Sequence, residues 1–170
     1  MRIAITGEKG FISTNLVRSI EKTNHTFVSL LEEHSMYKIS TGEPCVYNNS
    51  EKEWERILGD YDIDVLIHNA AVVGTDVVAL NAEFSTLSNV MGTHTIARAA
   101  NKAQVPVCYM GTTVIYDTQE YQDSVITETS RLNPRTYYGI QKLSAEQILR
   151  HNCEEWMIIR PLFAYGGAGD

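Results

Sequence analysis

Tyr138 and Lys142 in "YYGIQK" stand four residues apart, so a helix would project both from one face. A phenol ordinarily titrates near pH ~10, too high for a base at neutral pH. An adjacent ammonium stabilises the phenolate and lowers that value. Tyr138 would then exchange a proton with an oxygen on a bound molecule. A threonine hydroxyl would hold that oxygen, and "GTTVIYD" offers Thr112 directly after the apolar run 105–110. Plainer readings stand beside these: a surface helix pair for Tyr138 and Lys142, and a loop hydroxyl satisfying local backbone for Thr112.

A second constellation lies at the start of the chain. "TGEKGFIS" (6–13) follows the apolar run 2–5 and opens a helical pattern. Gly7 and Gly10 keep the spacing of a strand-to-helix phosphate turn. Gly7 would permit the tight turn, Gly10 a close approach to a pyrophosphate, and the helix from Phe11 would aim free N–H groups at the anion. Ser13 stands where a third glycine would allow close helix–sheet packing. A small serine fits that place, and its hydroxyl could bond back to the helix backbone. An acid for the ribose hydroxyls is expected about twenty residues on. "FVSLLEEHS" supplies Glu32 and Glu33, with an ordinary solvated pair as the alternative. A carboxylate there favours NAD, whereas Lys9, beside the adenosine end, could meet a 2′-phosphate and leaves NADP open.

Alternating elements must position these groups. Apolar runs predict strands at 2–6, 26–30, 45–48, 64–68, 105–110 and 156–160, and helical patterns occupy 11–22, 51–58, 83–103 and 137–150. The third helix carries Leu87, Val90, Met91, Ile96 and Ala97 at helical spacing. This order predicts an α/β fold, a Rossmann-like doubly wound parallel sheet, with the polar stretch 112–135 as a functional loop. The 170 residues suit one domain, 1–170. A formal charge of −7 argues against a nucleic-acid or anionic-membrane surface, and the apolar stretches are strand-sized. Cys45, Cys108 and Cys153 are widely spaced with no CxxC, and the five histidines are scattered, so no disulfide framework or metal site is expected. No secretory signal is read at the N-terminus, which points to a cytoplasmic protein. "IIRPLFAYGGAGD" leaves a strand and stops in a glycine-rich turn, as in a chain cut from a longer protein or one with a mobile tail.

The motifs "TGEKGFIS", "DVLIHNAA", "NVMGT", "GTTVIYD", "YYGIQK" and "RPLFAYG", in this order, resemble the extended short-chain dehydrogenase/reductase family. These are NAD-dependent epimerases and dehydratases acting mostly on nucleotide sugars. The resemblance covers essentially the whole chain. It implies Tyr138 as catalytic base, Lys142 as its partner and a holder of the nicotinamide ribose, and Thr112 as the catalytic Ser/Thr. It also implies Gly7, Gly10, Phe11 and Ile12 as the pyrophosphate turn, Ala70 and Ala71 as backbone lining the cofactor, and Asn89 as a buried support. The expected activity is hydride transfer, as an epimerase or oxidoreductase, on a nucleotide sugar or another small hydroxylated substrate. Helices 83–103 and 137–150 resemble those of the family's four-helix homodimer interface.

Departures matter as much. Dehydratases place an Asp-Glu pair after the catalytic threonine; Thr113 and Val114 stand here, so water elimination is not expected. "VYNN" puts Tyr47-Asn48 where the adenine pocket usually has Asp and an aliphatic residue, leaving Asn48 to bond the adenine edge. Phe163 replaces an asparagine that contacts substrate phosphate. The family's smaller C-terminal substrate domain is expected to be absent or truncated. A non-catalytic dinucleotide-binding module, a sensor or scaffold lacking a complete substrate pocket, is therefore the alternative.

Overall fold

The structure is a computed structural model in which residues 1–30, 51–116 and 125–166 are described. The expected strand at 45–48, and with it Glu32, Glu33 and Asn48, lies outside the described residues. Strands β1 (Arg2–Thr6), β2 (Thr26–Leu30), β3 (Val65–His68), β4 (Val107–Met110) and β5 (Trp156–Ile159) form one parallel sheet in the order β2-β1-β3-β4-β5. Parallel neighbours require crossovers, supplied by α1 (Phe11–Ile20), α2 (Glu51–Asp60), α3 (Thr75–Leu80), α4 (Ala82–Thr86), α5 (Gly92–Lys102) and α6 (Tyr137–Asn152). The sheet is the Rossmann-like one expected. β1 pairs with β2 on one side and β3 on the other, so the chain changes direction there and a crevice opens beyond the C-terminal strand ends.

Strand alternation divides the core between the two faces. Ile3 and Ile5 face α1 through Leu16, Val17 and Ile20. Ala4, Leu66, Val107 and Tyr109 face the larger layer, where Trp54, Ile57 and Leu58 of α2, Ile96 and Ala100 of α5, and Leu149 of α6 close the core. Glu51 bridges α2 to α5 through Arg98 (2.6 Å) and Lys102 (2.5 Å), and those bonds hold its carboxyl down at about 2.

The element bounds differ from the sequence reading chiefly at one place. The helix expected over 83–103 is α4, a π-turn over Leu87–Met91, and α5. α3, which precedes it, was not expected. The π-turn inserts a residue and rotates the face: Ser88 and Asn89 point inward, while Leu87 and Met91 are 46% and 49% exposed. Ile96 and Ala97 are buried as their spacing implied.

Candidate active site

A cleft of about 770 Å³ lies over the C-terminal ends of β1, β3 and β4. It is bounded by the turn after β1, the loop after β3, the start of α6 and residues 161–164. Gly7, Gly10, Phe11, Ile12, Ala70, Ala71, Thr112, Tyr138 and Lys142, all named from the sequence, are brought together on its walls. Lys9 is not on its wall, and Asn89 is buried beneath it rather than facing it.

The turn after β1 is held by close contact. Gly7 has φ +69°, and a methyl group on it would lie 2.8 Å from Ala70 Cα, so only glycine lets the two walls meet. Gly10 N–H donates to Gly7 O (3.0 Å) and closes the turn. Gly10 then enters α1 in an extended conformation with no side-chain cap, leaving the first-turn N–H groups for another acceptor. Such a terminus fits an anion of pyrophosphate type. Ser13 is buried where the third glycine would stand, and its hydroxyl accepts from Asn69 Nδ2 (2.8 Å). The bond therefore runs across to the β3 loop instead of back along the helix.

The opposite wall is built around α6. Thr136 caps that helix, accepting from Gly139 N–H at 3.0 Å. Gly139 lets the helix start press onto the turn at Thr113–Ile115, since a methyl group there would lie 2.9 Å from Pro134 Cβ and 3.1 Å from Val114 O. Tyr138 and Lys142 follow on the cleft side. Thr112 Oγ1 accepts from Val114 N–H (3.3 Å), which leaves its own proton to be donated.

Electrostatics at this wall are dominated by burial. Lys142 is 3% exposed, donates to Met110 O at 2.6 Å and lies 4.2 Å from the Tyr109 ring centroid. Burial holds its ammonium down at about 7, against an upward pull from Glu146. Burial also raises the Tyr138 phenol above its usual range, the reverse of the direction argued from the Tyr-Lys spacing. Behind Lys142, one helical turn on, Glu146 is wholly buried and takes Arg160 in a two-pronged pair (Nε–Oε1 3.1 Å, Nη2–Oε2 2.7 Å). Arg160 Nη1 also donates to Tyr116 Oη at 2.7 Å, tying β5 to the threonine turn. The sequence reading missed Glu146; its place four residues beyond Lys142 on one helix stripe was the available signal.

Comparisons with known proteins agree with this architecture. The family described as RmlD substrate binding domain matches residues 1–170. The chain is 26% identical over 167 residues to the probable low-salt glycan biosynthesis reductase Agl14 of Haloferax volcanii, covering 98% of this chain and 54% of that one. A dTDP-4-dehydrorhamnose reductase of Clostridium acetobutylicum superimposes with TM-score 0.81 at 20% identity, covering 100% of this chain and 56% of that one. A dTDP-4-dehydrorhamnose reductase of Bacillus anthracis, solved in complex with NADP, gives TM-score 0.79 at 19% identity, covering 99% and 56%. These likenesses show the shared fold. The chain spans about half the length of the curated relatives it matches.

Proposed function

The chain belongs to the RmlD substrate binding domain family, of the extended short-chain dehydrogenase/reductase kind its motifs resemble, and from that premise we propose that it is the dinucleotide-binding part of an NAD(P)-dependent reductase acting on a keto group of a nucleotide-linked sugar. The observation that carries this reading is one cleft with an uncapped helix N-terminus on one wall and Thr112, Tyr138 and Lys142 on the other. The named relatives include reductases, and one neighbour was solved with NADP. The epimerase half of the expected activity draws on a structural neighbour alone, a UDP-Glc/GlcNAc 4-epimerase, whereas the reductase reading draws on a curated relative as well.

The chemistry a reduced nicotinamide would supply here, when bound, is a hydride for the carbonyl carbon. Tyr138, a phenol protonated at neutral pH and held so more firmly by burial, would give its proton to the carbonyl oxygen. Thr112 donates its hydroxyl hydrogen to that oxygen and holds it near Tyr138. Lys142, whose ammonium has donors beyond the one given to Met110 O, would bond the ribose hydroxyls and stabilise the phenolate once the proton has gone. Gly7, Gly10 and the amides of Phe11 and Ile12 hold the pyrophosphate. NAD is the preferred cofactor on the acid at Glu32, with NADP the alternative. Titrating the chain with NADH and NADPH by fluorescence tests cofactor binding. Comparing turnover of Tyr138→Phe in the longest available form of the protein tests the chemistry. Unchanged turnover in that variant overturns the mechanism, and dinucleotide binding with no turnover in the unmodified protein favours the second reading, a dinucleotide module without catalysis, which draws on Phe163 standing 82% exposed at the cleft rim.

Exposed Leu87 and Met91 of the π-turn and Tyr137 and Ile140 of α6 support a helix-paired homodimer as the assembly. Among the described residues no helix is long and apolar enough to cross a membrane, and a cytoplasmic setting is part of the proposal.

A further inference from the structure

The loop after β3, residues 69–72, forms one side of the cleft, and side chains from other elements hold its backbone at both ends. At its start, Thr6 Oγ1 accepts from the N–H groups of Asn69 and Ala70, both at 3.1 Å. Those two bonds use both lone pairs, so the Thr6 proton goes to His68 Nδ1, 2.8 Å away. His68 is 1% exposed, and burial keeps it neutral, holding its pKa down at about 3. Its one proton therefore sits on Nε2 and is donated to Thr93 Oγ1 (3.1 Å), which donates in turn to the Asn89 carbonyl (2.8 Å).

At the far end, Val72 N–H donates to Asn89 Oδ1 (2.8 Å) and Asn89 Nδ2 donates to Val72 O (2.9 Å). Two backbone partners thus fix the amide orientation of Asn89. Its remaining N–H goes to Gln141 Oε1 at 2.9 Å. That bond fixes the Gln141 amide, whose Nε2 donates to Ser85 Oγ (2.9 Å) and Thr86 Oγ1 (3.0 Å). Thr86 passes its own proton to the Ala82 carbonyl, and Ser85 shares its proton between the carbonyls of Ala82 and Val78. The chain of donors is complete from β1 to α6, and Gln141 is the residue immediately before Lys142.

We propose that Gln141 is a positioning residue that locks loop 69–72 to the helix bearing Tyr138 and Lys142, with Asn89 as the shared clasp. A buried amide left without its partner is costly, so the loop and the helix start hold one mutual register. The effect on dinucleotide affinity rests on the function proposed above; the lock itself does not.

The test reads amide hydrogen exchange and NADPH affinity in two variants. Gln141→Leu keeps the volume and removes the partner of Asn89 Nδ2. Gln141→Glu keeps an acceptor for Asn89 and lets Ser85 and Thr86 turn to donate. In the leucine variant Val72 N–H is expected to exchange at least about tenfold faster, while Leu66 N–H in β3 keeps its protection, and NADPH binding weakens by about tenfold. The glutamate variant restores Val72 protection. If the leucine variant does not fold, Ser85→Ala with Thr86→Val removes the other side of the lock and the same comparison is made. Unchanged Val72 exchange overturns the proposal, as does equal acceleration at Val72 and Leu66, or equal behaviour of the two Gln141 variants. Failure of the unmodified chain to bind either dinucleotide would overturn the functional reading, while the exchange arm would still decide the lock.

Discussion

Burial raises the Tyr138 phenol, so it rests in its protonated form and is a poor resting base. Its replacement by phenylalanine is expected to lower turnover by about 10²–10⁴-fold while leaving dinucleotide affinity within about threefold, read by steady-state kinetics and fluorescence titration. Two other buried groups give a pH signature in stability. The folded His68 titrates at about 3 rather than 6.5, so below pH 6.5 the unfolded chain binds a proton that the folded one does not. Stability therefore falls as pH drops from 6.5 toward 3, and Glu51, held at about 2, adds to the loss below 4.5. Lys142 is lowered from 10.5 to about 7, so across that window the unfolded chain again holds the extra proton and stability rises with pH. Urea unfolding across pH 3–10 checks both limbs; in Lys142→Met the rise above pH 7 should disappear. Tyr138, Lys142, Thr112, Gly7 and Gly10 were legible in the sequence because each belongs to a short motif with a local reason for its spacing. His68 and Gln141 were not, because their partners lie 25 to 62 and 52 to 56 residues away and exist only once the sheet forms.

At the scale of elements, the strand ends carry the cleft and the start of α6 brings Tyr138 and Lys142 to its wall. Gly139 is the contact point between α6 and the threonine turn, where a methyl group would lie 2.9 Å from Pro134 Cβ. Gly139→Ala is expected to cost about 1–3 kcal/mol by overpacking and to lower turnover more than dinucleotide affinity, measured by denaturant unfolding and kinetics. The Glu146–Arg160 pair is the other tie at this level. Arg160→Leu leaves a wholly buried carboxylate unpaired and is expected to destabilise by about 3–5 kcal/mol in the same unfolding assay. The five described strands lie where the apolar runs put them, because a buried parallel strand announces itself by composition. The helix over 83–103 was read as one element, with Leu87 and Met91 in the same apolar pattern as Ile96 and Ala97, because apolar spacing assumes an unbroken α-helix. The π-turn breaks that assumption and turns Leu87 and Met91 outward, leaving the polar Ser88 and Asn89 to be satisfied inside.

For the whole molecule, the outward apolar residues of the π-turn and α6 underlie the proposed homodimer. Met91→Lys combined with Ile140→Lys is expected to halve the sedimentation mass if these faces pair. The cleft has defined geometry at the turn after β1 and at the start of α6, while Leu162 and Phe163 stand exposed at its edge, in a chain spanning about half the length of its matched relatives. Dinucleotide binding is the part of the proposal that this chain tests most directly. The most direct measurement is a fluorescence titration of the chain with NADH and NADPH, repeated on Lys142→Met. Saturable binding of one dinucleotide per chain, weakened by about tenfold in the variant, is the predicted result. No saturable binding of either dinucleotide, or binding that ignores the loss of Lys142, would contradict it.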